Sequence, residues 1–149
     1  MELNWACKKF EELTVIELYK ILQQRSDVFV VEQNCVYHDI DNKDLDAYHL
    51  MGWDKNELVA YTRLIKPGIS YEEASIGRVL THINYRRYGF GKELMKRSIE
   101  QVKVLFMVKT IRISAQCYLQ RFYEEQGFIA QGEAYLEDDI PHIEMLYTS

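Results

Sequence analysis

A basic, glycine-containing stretch, Arg86–Lys92, separates a strand-like segment from a long amphipathic helix. It places two glycines and three cations where the helical pattern begins. A helix N-terminus presents about four backbone N–H groups without intrahelical partners and roughly half a positive charge. Because glycine has no Cβ, a bulky anion can approach those groups closely. The stretch therefore predicts a cradle for a pyrophosphate group, and with it a nucleotide-type cofactor.

Composition excludes several other classes of protein. The 149 residues, 48% of them apolar, predict one domain with a buried core over residues 1–149. A net charge of −5 argues against nucleic acid as a partner. No apolar run approaches the roughly 20 residues of a membrane span, and the N-terminus lacks a leader pattern. The three cysteines are widely spaced, which favours free thiols in a cytoplasmic protein and no metal site.

Hydrophobic periodicity and turn signals predict the order β, α, three β, α, β, α, β, β. Thr14 and Glu17 fit a capping box at the start of the first helix, whose apolar face continues to Glu32. The other helices are predicted over Gly89–Phe106 and Tyr118–Gln126. The predicted strands are Leu3–Lys9, Tyr48–Asp54, Glu57–Ile65, Ala74–Thr81, Thr110–Ala115, Ile129–Leu136 and Ile143–Tyr147. This order predicts an α/β or α+β domain with a mixed central sheet flanked by helices.

A second motif, Tyr123-x-x-x-Gly127-Phe128, ends the third predicted helix. The first, Arg86-x-x-Gly89-x-Gly91, is neither a Walker loop nor the GxGxxG fingerprint. Together, and in this order of elements, the two motifs resemble the GNAT superfamily of acetyl-CoA-dependent N-acyltransferases over essentially the whole chain. Arg25–Gln33, Ile76–Val79 and Ile140–Ile143 further resemble its ElaA-type branch, which implies an activity class but no defined substrate.

The resemblance implies a binding mode for acetyl-CoA. The backbone of Val79, Leu80 and Thr81 would pair with the pantetheine arm, and a splay in the sheet there would direct a backbone N–H at the thioester oxygen. Gln116 stands where many relatives carry an asparagine that contacts the arm. The diphosphate would lie on the glycine turn, mainly on its main-chain N–H groups; the residues of this turn are Arg86, Arg87, Tyr88, Gly89, Phe90, Gly91 and Lys92.

Tyr123 matches the tyrosine that faces the thioester sulfur in the family, which implies a role as general acid. A thiol has a pKa of about 8.5 and a phenol about 10, so proton transfer between them is nearly balanced. A tyrosine at this spacing also suits a plain core position. Tyr118, five residues earlier, is the rival acid.

The general base stays open on the sequence. Some relatives use a glutamate on the strand before the tyrosine helix, but Ile111 occupies that position. Glu32, His49 and His142 are the candidates. Glu32 follows an apolar run in which partial burial would raise its pKa, and a histidine titrates near neutral pH.

Two acidic segments, Asp39–Asp46 and Glu137–Asp139, are interpreted either as solvated loops or as a mouth that attracts a cationic amine. The first lacks the glycine of a calcium loop, so calcium is excluded. The function predicted is transfer of an acetyl group to an amine of a small molecule or peptide. A non-catalytic acyl-CoA-binding sensor or interaction module is the alternative, and a nucleoside triphosphate is the other cofactor considered. The closing strands would suit a homodimer.

Overall fold

The computed structural model describes all residues 1–149 and contains three α-helices and seven β-strands. The strands are β1 (Asn4–Lys9), β2 (Tyr48–Asp54), β3 (Glu57–Ile65), β4 (Ser75–Thr81), β5 (Thr110–Gln116), β6 (Phe128–Glu137) and β7 (Ile140–Thr148). The helices are α1 (Val15–Arg25), α2 (Phe90–Phe106) and α3 (Gln120–Glu125). The predicted order of elements is confirmed, with boundaries that differ by a few residues.

The sheet consists of two antiparallel parts joined at one point. The first has the strand order β1-β2-β3-β4 and the second the order β5-β7-β6. An isolated parallel bridge joins Ala74 to Ile111, and the amide of Arg112 donates to the carbonyl oxygen of Ala74 at 2.9 Å. Beyond this bridge β4 and β5 are not paired with each other. The predicted mixed sheet is thus confirmed, and its two parts diverge to leave an open cleft.

Helices cover both faces of the first sheet. On one face, α2 contributes Leu94, Met95 and Val102 to a cluster of 19 buried apolar residues. On the other, Ile21 of α1 belongs to a separate cluster of 6 buried apolar residues. Each helix begins where its sequence favours a start, and Thr14 makes the predicted capping box with Glu17. The first sheet thus lies between two apolar cores.

The first helix differs from the prediction in its last turns. It is α-helical only to Arg25 and continues as a π-helix over Ser26–Glu32. A π-helix has more residues per turn, so it changes the direction in which side chains point, and such segments are frequent at functional sites. Here the wider segment brings Val28, Phe29 and Glu32 to the wall of the cleft.

Candidate active site

A cleft of about 1100 Å³ lies where β4 and β5 diverge. Its walls are Ile76–Thr81 of β4 on one side and Ile113, Ser114 and Gln116 of β5 on the other. The π-helical segment, α3 and the β6–β7 turn complete it. A volume of this size falls at the upper end of ligand pockets, which run to about 1,000 Å³. The cleft opens between the two parts of the sheet, along β4 and β5, and this elongated shape suits an extended ligand.

The β4 wall contains the three residues predicted to hold the cofactor arm. Val79, Leu80 and Thr81 all line the cleft. The Leu80 side chain is only 3% exposed because it packs into the smaller core, so the strand offers mainly backbone there. Just before these residues Arg78 has a φ of 50°, in the left-handed region. The strand is therefore irregular next to the cleft.

The glycine turn starts α2 as the sequence predicted. Gly89 is the N-cap, with a φ of 74° and no side-chain cap, so side chains leave the first N–H groups of α2 uncovered. Of the seven turn residues, Arg86 and Gly91 line the cleft. A Cβ at Gly91 would point beside the Phe122 ring, 3.7 Å away. Glycine therefore leaves that space open to an anion at the helix start.

The other residues of the turn face elsewhere. The Phe90 side chain is 4% exposed and belongs to the larger core, and the Tyr88 ring stacks on it with 5.8 Å between centroids. Arg87 and Lys92 do not line the cleft. Their part in diphosphate binding stays a prediction, since main-chain groups and side-chain charge at the helix start would both contribute to it.

Glu32 does not have the environment expected of a base. Its carboxylate accepts two hydrogen bonds from Arg86, at 2.6 and 2.7 Å. These hydrogen bonds and the guanidinium charge outweigh partial burial and hold the pKa of Glu32 below its ordinary value. The expectation of a raised pKa is wrong, because Arg86, 54 residues away in sequence and not indicated by any local pattern, pairs with the carboxylate. A carboxylate stabilised in this way is a poor base.

His49 lies outside the cleft. Its ring is fully buried, with Nδ1 2.7 Å from the Tyr61 hydroxyl and Nε2 3.0 Å from the Asp44 carbonyl oxygen. Burial lowers its pKa below the ordinary value. With both ring nitrogens occupied inside the core, His49 cannot take a proton from a ligand in the cleft. The structure thus contradicts its selection as a base candidate, which rested on residue type and strand position alone.

His142 does line the cleft, on β7 opposite Gln116 of β5. Its Nδ1 lies 2.7 Å from the Ile140 carbonyl oxygen, which can only accept, so Nδ1 carries the proton in the neutral ring. Nε2 is then the basic atom, and it lies 3.6 Å from the Glu137 carboxylate. Glu137, which the sequence did not suggest as a catalytic group, thus lies beside that nitrogen.

Tyr123 is 6% exposed and lines the cleft from α3. Its ring packs edge-on against Phe122 and Phe128, which fixes its orientation. No hydrogen bond joins its hydroxyl to another group of the protein. Burial raises the pKa of Tyr123, so the phenol keeps its proton at any physiological pH. The rival Tyr118 also lines the cleft but is 73% exposed, with nothing to fix its direction.

Two further β5 positions bear on the predicted site. Ile111, where some relatives carry a glutamate, is fully buried in the larger core and offers no proton acceptor. Gln116 lines the cleft and exchanges hydrogen bonds with Gln33, the residue that follows the π-helical segment, at 3.1 and 3.4 Å. That pair links the two walls at one side of the cleft.

The first acidic segment matches neither interpretation of the sequence. Its Asp39, Asp41 and Asp44 bind three arginines that come from α1, β3 and β4. We call this set the arginine–aspartate cluster; its members are Arg25, Asp39, Asp41, Asp44, Arg63 and Arg78. The segment is neither a solvated loop nor a free negative mouth. Two arginines in the sequence signal this cluster. Arg25 lies in the apolar face of the first helix and Arg63 lies in a continuous apolar strand, and an arginine buried at such a position needs a charged partner.

The second acidic segment is closer to the expected form. Glu137 and Asp138 line the cleft, and both are exposed.

No group of three or more His, Cys, Asp or Glu side chains is placed to hold a metal ion. None of the helices combines the length and apolar character needed to cross a bilayer.

Comparison with known proteins identifies the family to which a chain with this fold and cleft belongs. The family model described as "Acetyltransferase (GNAT) domain" matches residues 17–149. The protein ElaA of Escherichia coli is 43% identical over 96% of this chain and 95% of its own length. The chain therefore belongs to the GNAT acetyltransferase family, and the predicted resemblance to its ElaA-type branch is confirmed.

Solved structures agree with this assignment. An acyl-CoA N-acyltransferase from Pseudomonas aeruginosa superposes with a TM-score of 0.93 at 44% identity, covering 98% of this chain and 99% of its own. Crystalline ElaA from Escherichia coli gives 0.91 at 42% identity, covering 97% and 99%. The GNAT acyl-CoA N-acyltransferase fold is thus confirmed, and family membership supports an acyltransferase activity that uses an acyl-CoA.

Proposed function

We propose that this protein transfers an acetyl group from acetyl-CoA to a primary amine by direct attack, with Tyr123 as general acid. The observation that carries the proposal is the position of Tyr123. Its ring is buried and fixed between Phe122 and Phe128, yet its hydroxyl has no protein partner and its residue lines the cleft. Only Trp5 Nε1 and Arg63 Nε are fully buried side-chain nitrogen or oxygen atoms without a hydrogen-bond partner, so the Tyr123 oxygen is open to the cleft, where a ligand group can accept a hydrogen bond from it.

The proposed position of acetyl-CoA follows the cleft. The pantetheine arm would run beside the backbone of Val79–Thr81, where the strand has no neighbour on the cleft side. Gln116 would meet the arm from the opposite wall. The diphosphate would lie at the start of α2, near Gly91, where uncapped N–H groups and the helix dipole favour an anion.

The chemical step that we propose needs no covalent enzyme intermediate. A neutral amine attacks the thioester carbon, and backbone N–H groups of β4 stabilise the oxyanion of the tetrahedral intermediate. One such donor is typically worth roughly 3–4 kcal/mol of barrier. The intermediate collapses, its C–S bond breaks, and Tyr123 gives its proton to the departing thiolate. The product amide keeps the acetyl group.

Burial of Tyr123 is compatible with this acid role. The same burial that raises the pKa of the phenol would also destabilise a thiolate formed beside it. Because both anions are penalised by the same apolar walls, the near balance between phenol and thiol is retained. The proton would therefore move when the C–S bond breaks and not before.

His142 is the base that we propose for the attacking amine. Its Nε2 is the basic nitrogen of a neutral ring whose other nitrogen is held by the Ile140 carbonyl. The Glu137 carboxylate beside Nε2 would stabilise the proton once it arrives. The exposed carboxylates of Glu137 and Asp138 would also attract a cationic amine toward this end of the cleft.

The deciding experiment is Tyr123→Phe, with acetyl-CoA binding and CoA-thiol release measured on the same protein. We expect turnover to fall by about 10²–10⁴-fold and the dissociation constant of acetyl-CoA to change less than twofold. A panel of polyamines, aminoglycosides, amino acids and peptide N-termini supplies the acceptor for the assay.

Tyr118→Phe is the matched variant, since it removes the rival hydroxyl from the same wall. If it lowers turnover while Tyr123→Phe does not, the acid is Tyr118. If the wild-type protein binds acetyl-CoA but releases thiol with no amine in the panel, the acyl-CoA sensor becomes the better description.

A further inference from the structure

β4 contains a bulge within the stretch that lines the cleft. Leu80 pairs with Tyr61 and Gly77 pairs with Arg63, so the single residue between Tyr61 and Arg63 faces both Arg78 and Val79. One extra residue in a strand bends it and changes which face each later side chain occupies. The bulge therefore determines how Val79–Thr81 meet the cleft.

The change of face is visible in the packing of the strand. Ile76 and Leu80 are four residues apart, and in a regular strand they would point to the same face. Here Ile76 belongs to the larger core beneath α2, whereas Leu80 belongs to the smaller core beneath α1. Without the bulge, the segment after Gly77 would shift by one position and present its other face.

The bulge depends on an unfavourable backbone conformation. Arg78 has a φ of 50°, in the left-handed region that side chains with a Cβ seldom adopt. The neighbouring glycine, Gly77, does not have a positive φ, so the left-handed conformation falls on the arginine. Such strain persists only where surrounding contacts hold the residue in place.

The Arg78 side chain supplies those contacts. Its Nε donates to the Asp39 carboxylate at 2.8 Å, and its Nη2 donates to the Asp39 carbonyl oxygen at 2.9 Å. The guanidinium also lies over the Tyr37 ring, 5.8 Å from the centroid. Three points of attachment on one planar group fix its position and thus limit the rotation of the backbone behind it.

Asp39 and Asp41 are themselves held from the neighbouring strand and helix. Arg25, fully buried in α1, binds the second oxygen of Asp39 at 3.0 Å. Arg63 of β3 binds both oxygens of Asp41, at 2.7 and 3.0 Å. Asp41 also accepts from Arg78 at 3.4 Å. One loop thus binds Arg78 in the bulge and Arg63, which pairs with Gly77 just before it.

We infer that Arg78 is a positioning residue, which uses Asp39 and Asp41 to hold the left-handed bulge that sets Val79–Thr81 in the cleft. It acts through the backbone and not by touching the thioester. The inference rests on the proposed function for its consequence, since those backbone groups are the ones proposed to meet acetyl-CoA. Its structural half, that the side chain maintains the bulge, stands independently of any activity.

Two substitutions at Arg78 separate positioning from simple stability. Arg78→Met removes the contacts to Asp39 and keeps the penalty for a positive φ, so the bulge should relax. We expect faster amide hydrogen exchange at Val79 and Leu80, and a dissociation constant for acetyl-CoA about tenfold higher, the cost of roughly one hydrogen bond. Arg78→Gly removes the same contacts but adopts a positive φ without penalty, and should recover part of that affinity.

Arg112→Met is the matched control. The Arg112 side chain is 22% exposed against 20% for Arg78, and it also binds two carboxylates, those of Glu73 and Glu144. It should alter neither exchange in β4 nor acetyl-CoA affinity. Turnover across the amine panel should fall by up to about 100-fold in Arg78→Met, as expected for a small displacement at a reacting centre, and should not fall in Arg112→Met.

Unchanged exchange and affinity in Arg78→Met would overturn the inference, and so would an Arg78→Gly protein at least as impaired as Arg78→Met. If Arg78→Met does not fold, Arg78→Lys replaces it; the lysine keeps the charge but not the fork, and an intermediate increase in exchange is expected. If the wild-type protein fails to bind acetyl-CoA, the proposed function fails while the exchange measurement still decides whether Arg78 holds the bulge.

Discussion

Two sets of arginine–carboxylate pairs border the same cleft and differ in how far water reaches them. In the arginine–aspartate cluster, Arg25 is fully buried and its two aspartate partners have side chains 9% exposed. In the pair at the start of the glycine turn, Arg86 and Glu32 have side chains 36% and 38% exposed. The shortest hydrogen bond in each set is 2.6 Å. Geometry alone therefore does not distinguish them.

The difference in exposure should give the two sets different roles. A buried charge that loses its partner is left uncompensated in a low-dielectric environment, at a cost of about 3–5 kcal/mol. An exposed pair exchanges its partner for water and contributes about 0–1 kcal/mol. The cluster can therefore fix the backbone of β4, whereas the Arg86–Glu32 pair can open when an anion approaches.

The largest expected effect is on stability. Arg25→Met keeps most of the side-chain volume but leaves Asp39 and Asp44 with one arginine fewer, and should lower the free energy of unfolding by about 3–5 kcal/mol. Arg86→Met removes an arginine with the same number of charged hydrogen bonds at an exposed position, and should cost less than about 1 kcal/mol. Urea unfolding of the two variants and the wild type measures both values.

Equal losses in the two variants would show that exposure does not separate the two sets. A small loss in Arg25→Met would mean that the remaining arginines of the cluster compensate for it. In that case the cluster would no longer explain how the bulge is held, because Asp39 would not need its second partner.

A second, smaller effect should appear in acid. Burial alone would raise the pKa of Asp44, but the hydrogen bonds and charges of Arg25 and Arg63 outweigh it and hold that pKa below its ordinary value. A lowered pKa in the folded protein adds stability above the unfolded value, about 3.9, and this stability is lost as pH falls through the folded value. Unfolding free energy should therefore decline steeply with acidification below pH about 4.

Asp44→Asn should make that decline shallower, whatever it does to stability at neutral pH. Glu32→Gln should change the slope less, since the pKa of Glu32 is also lowered by Arg86 but solvent and salt screen the exposed pair. Urea unfolding at a series of pH values between about 2 and 6 provides the slopes. A larger change of slope in Glu32→Gln would reverse the comparison.

The same contrast explains what the sequence could predict. Strands, helices and the capping box at Thr14 depend on residues a few positions apart, so hydrophobic period and turn chemistry were sufficient to place them. The glycine turn is equally local, and Gly89 indeed begins α2 with a positive φ. These local features predict the order of elements and the anion cradle at the start of α2, whereas the splay of the sheet follows only from the resemblance to GNAT acyltransferases.

The cluster depends on partners between 14 and 39 residues apart, which no local pattern reports. For that reason the sequence offers only a solvated loop or an acidic mouth for Asp39–Asp46, and it does not reveal the partner of Glu32. The prediction of His49 as a base is wrong for a related reason, because alternation along a strand does not show which face of that strand meets the cleft. The resemblance to GNAT acyltransferases indicates Tyr123, and residue type and strand position indicate His142; their catalytic roles stay predictions.

The smallest expected effect concerns the exposed pair and its consequence for ligand binding. In the free protein Arg86 gives its two terminal nitrogens to Glu32 and its Nε to the Thr81 carbonyl oxygen, so it has little left for a phosphate. If the diphosphate binds at the start of α2 as we propose, Glu32 competes with it. Glu32→Gln keeps the shape but removes the charge, and should tighten acetyl-CoA binding a few-fold while changing stability by less than about 1 kcal/mol.

Salt distinguishes this effect from a change in the fold. The gain from Glu32→Gln should shrink as ionic strength rises from about 0.01 to 1 M, because exposed charges are screened over a shorter distance. Asp27→Asn, one turn earlier in the same π-helical segment, removes a charge that has no arginine partner and serves as the control. Weaker binding in Glu32→Gln would mean that Glu32 holds Arg86 in its binding position, and the exposed pair would then share the positioning role of the buried cluster.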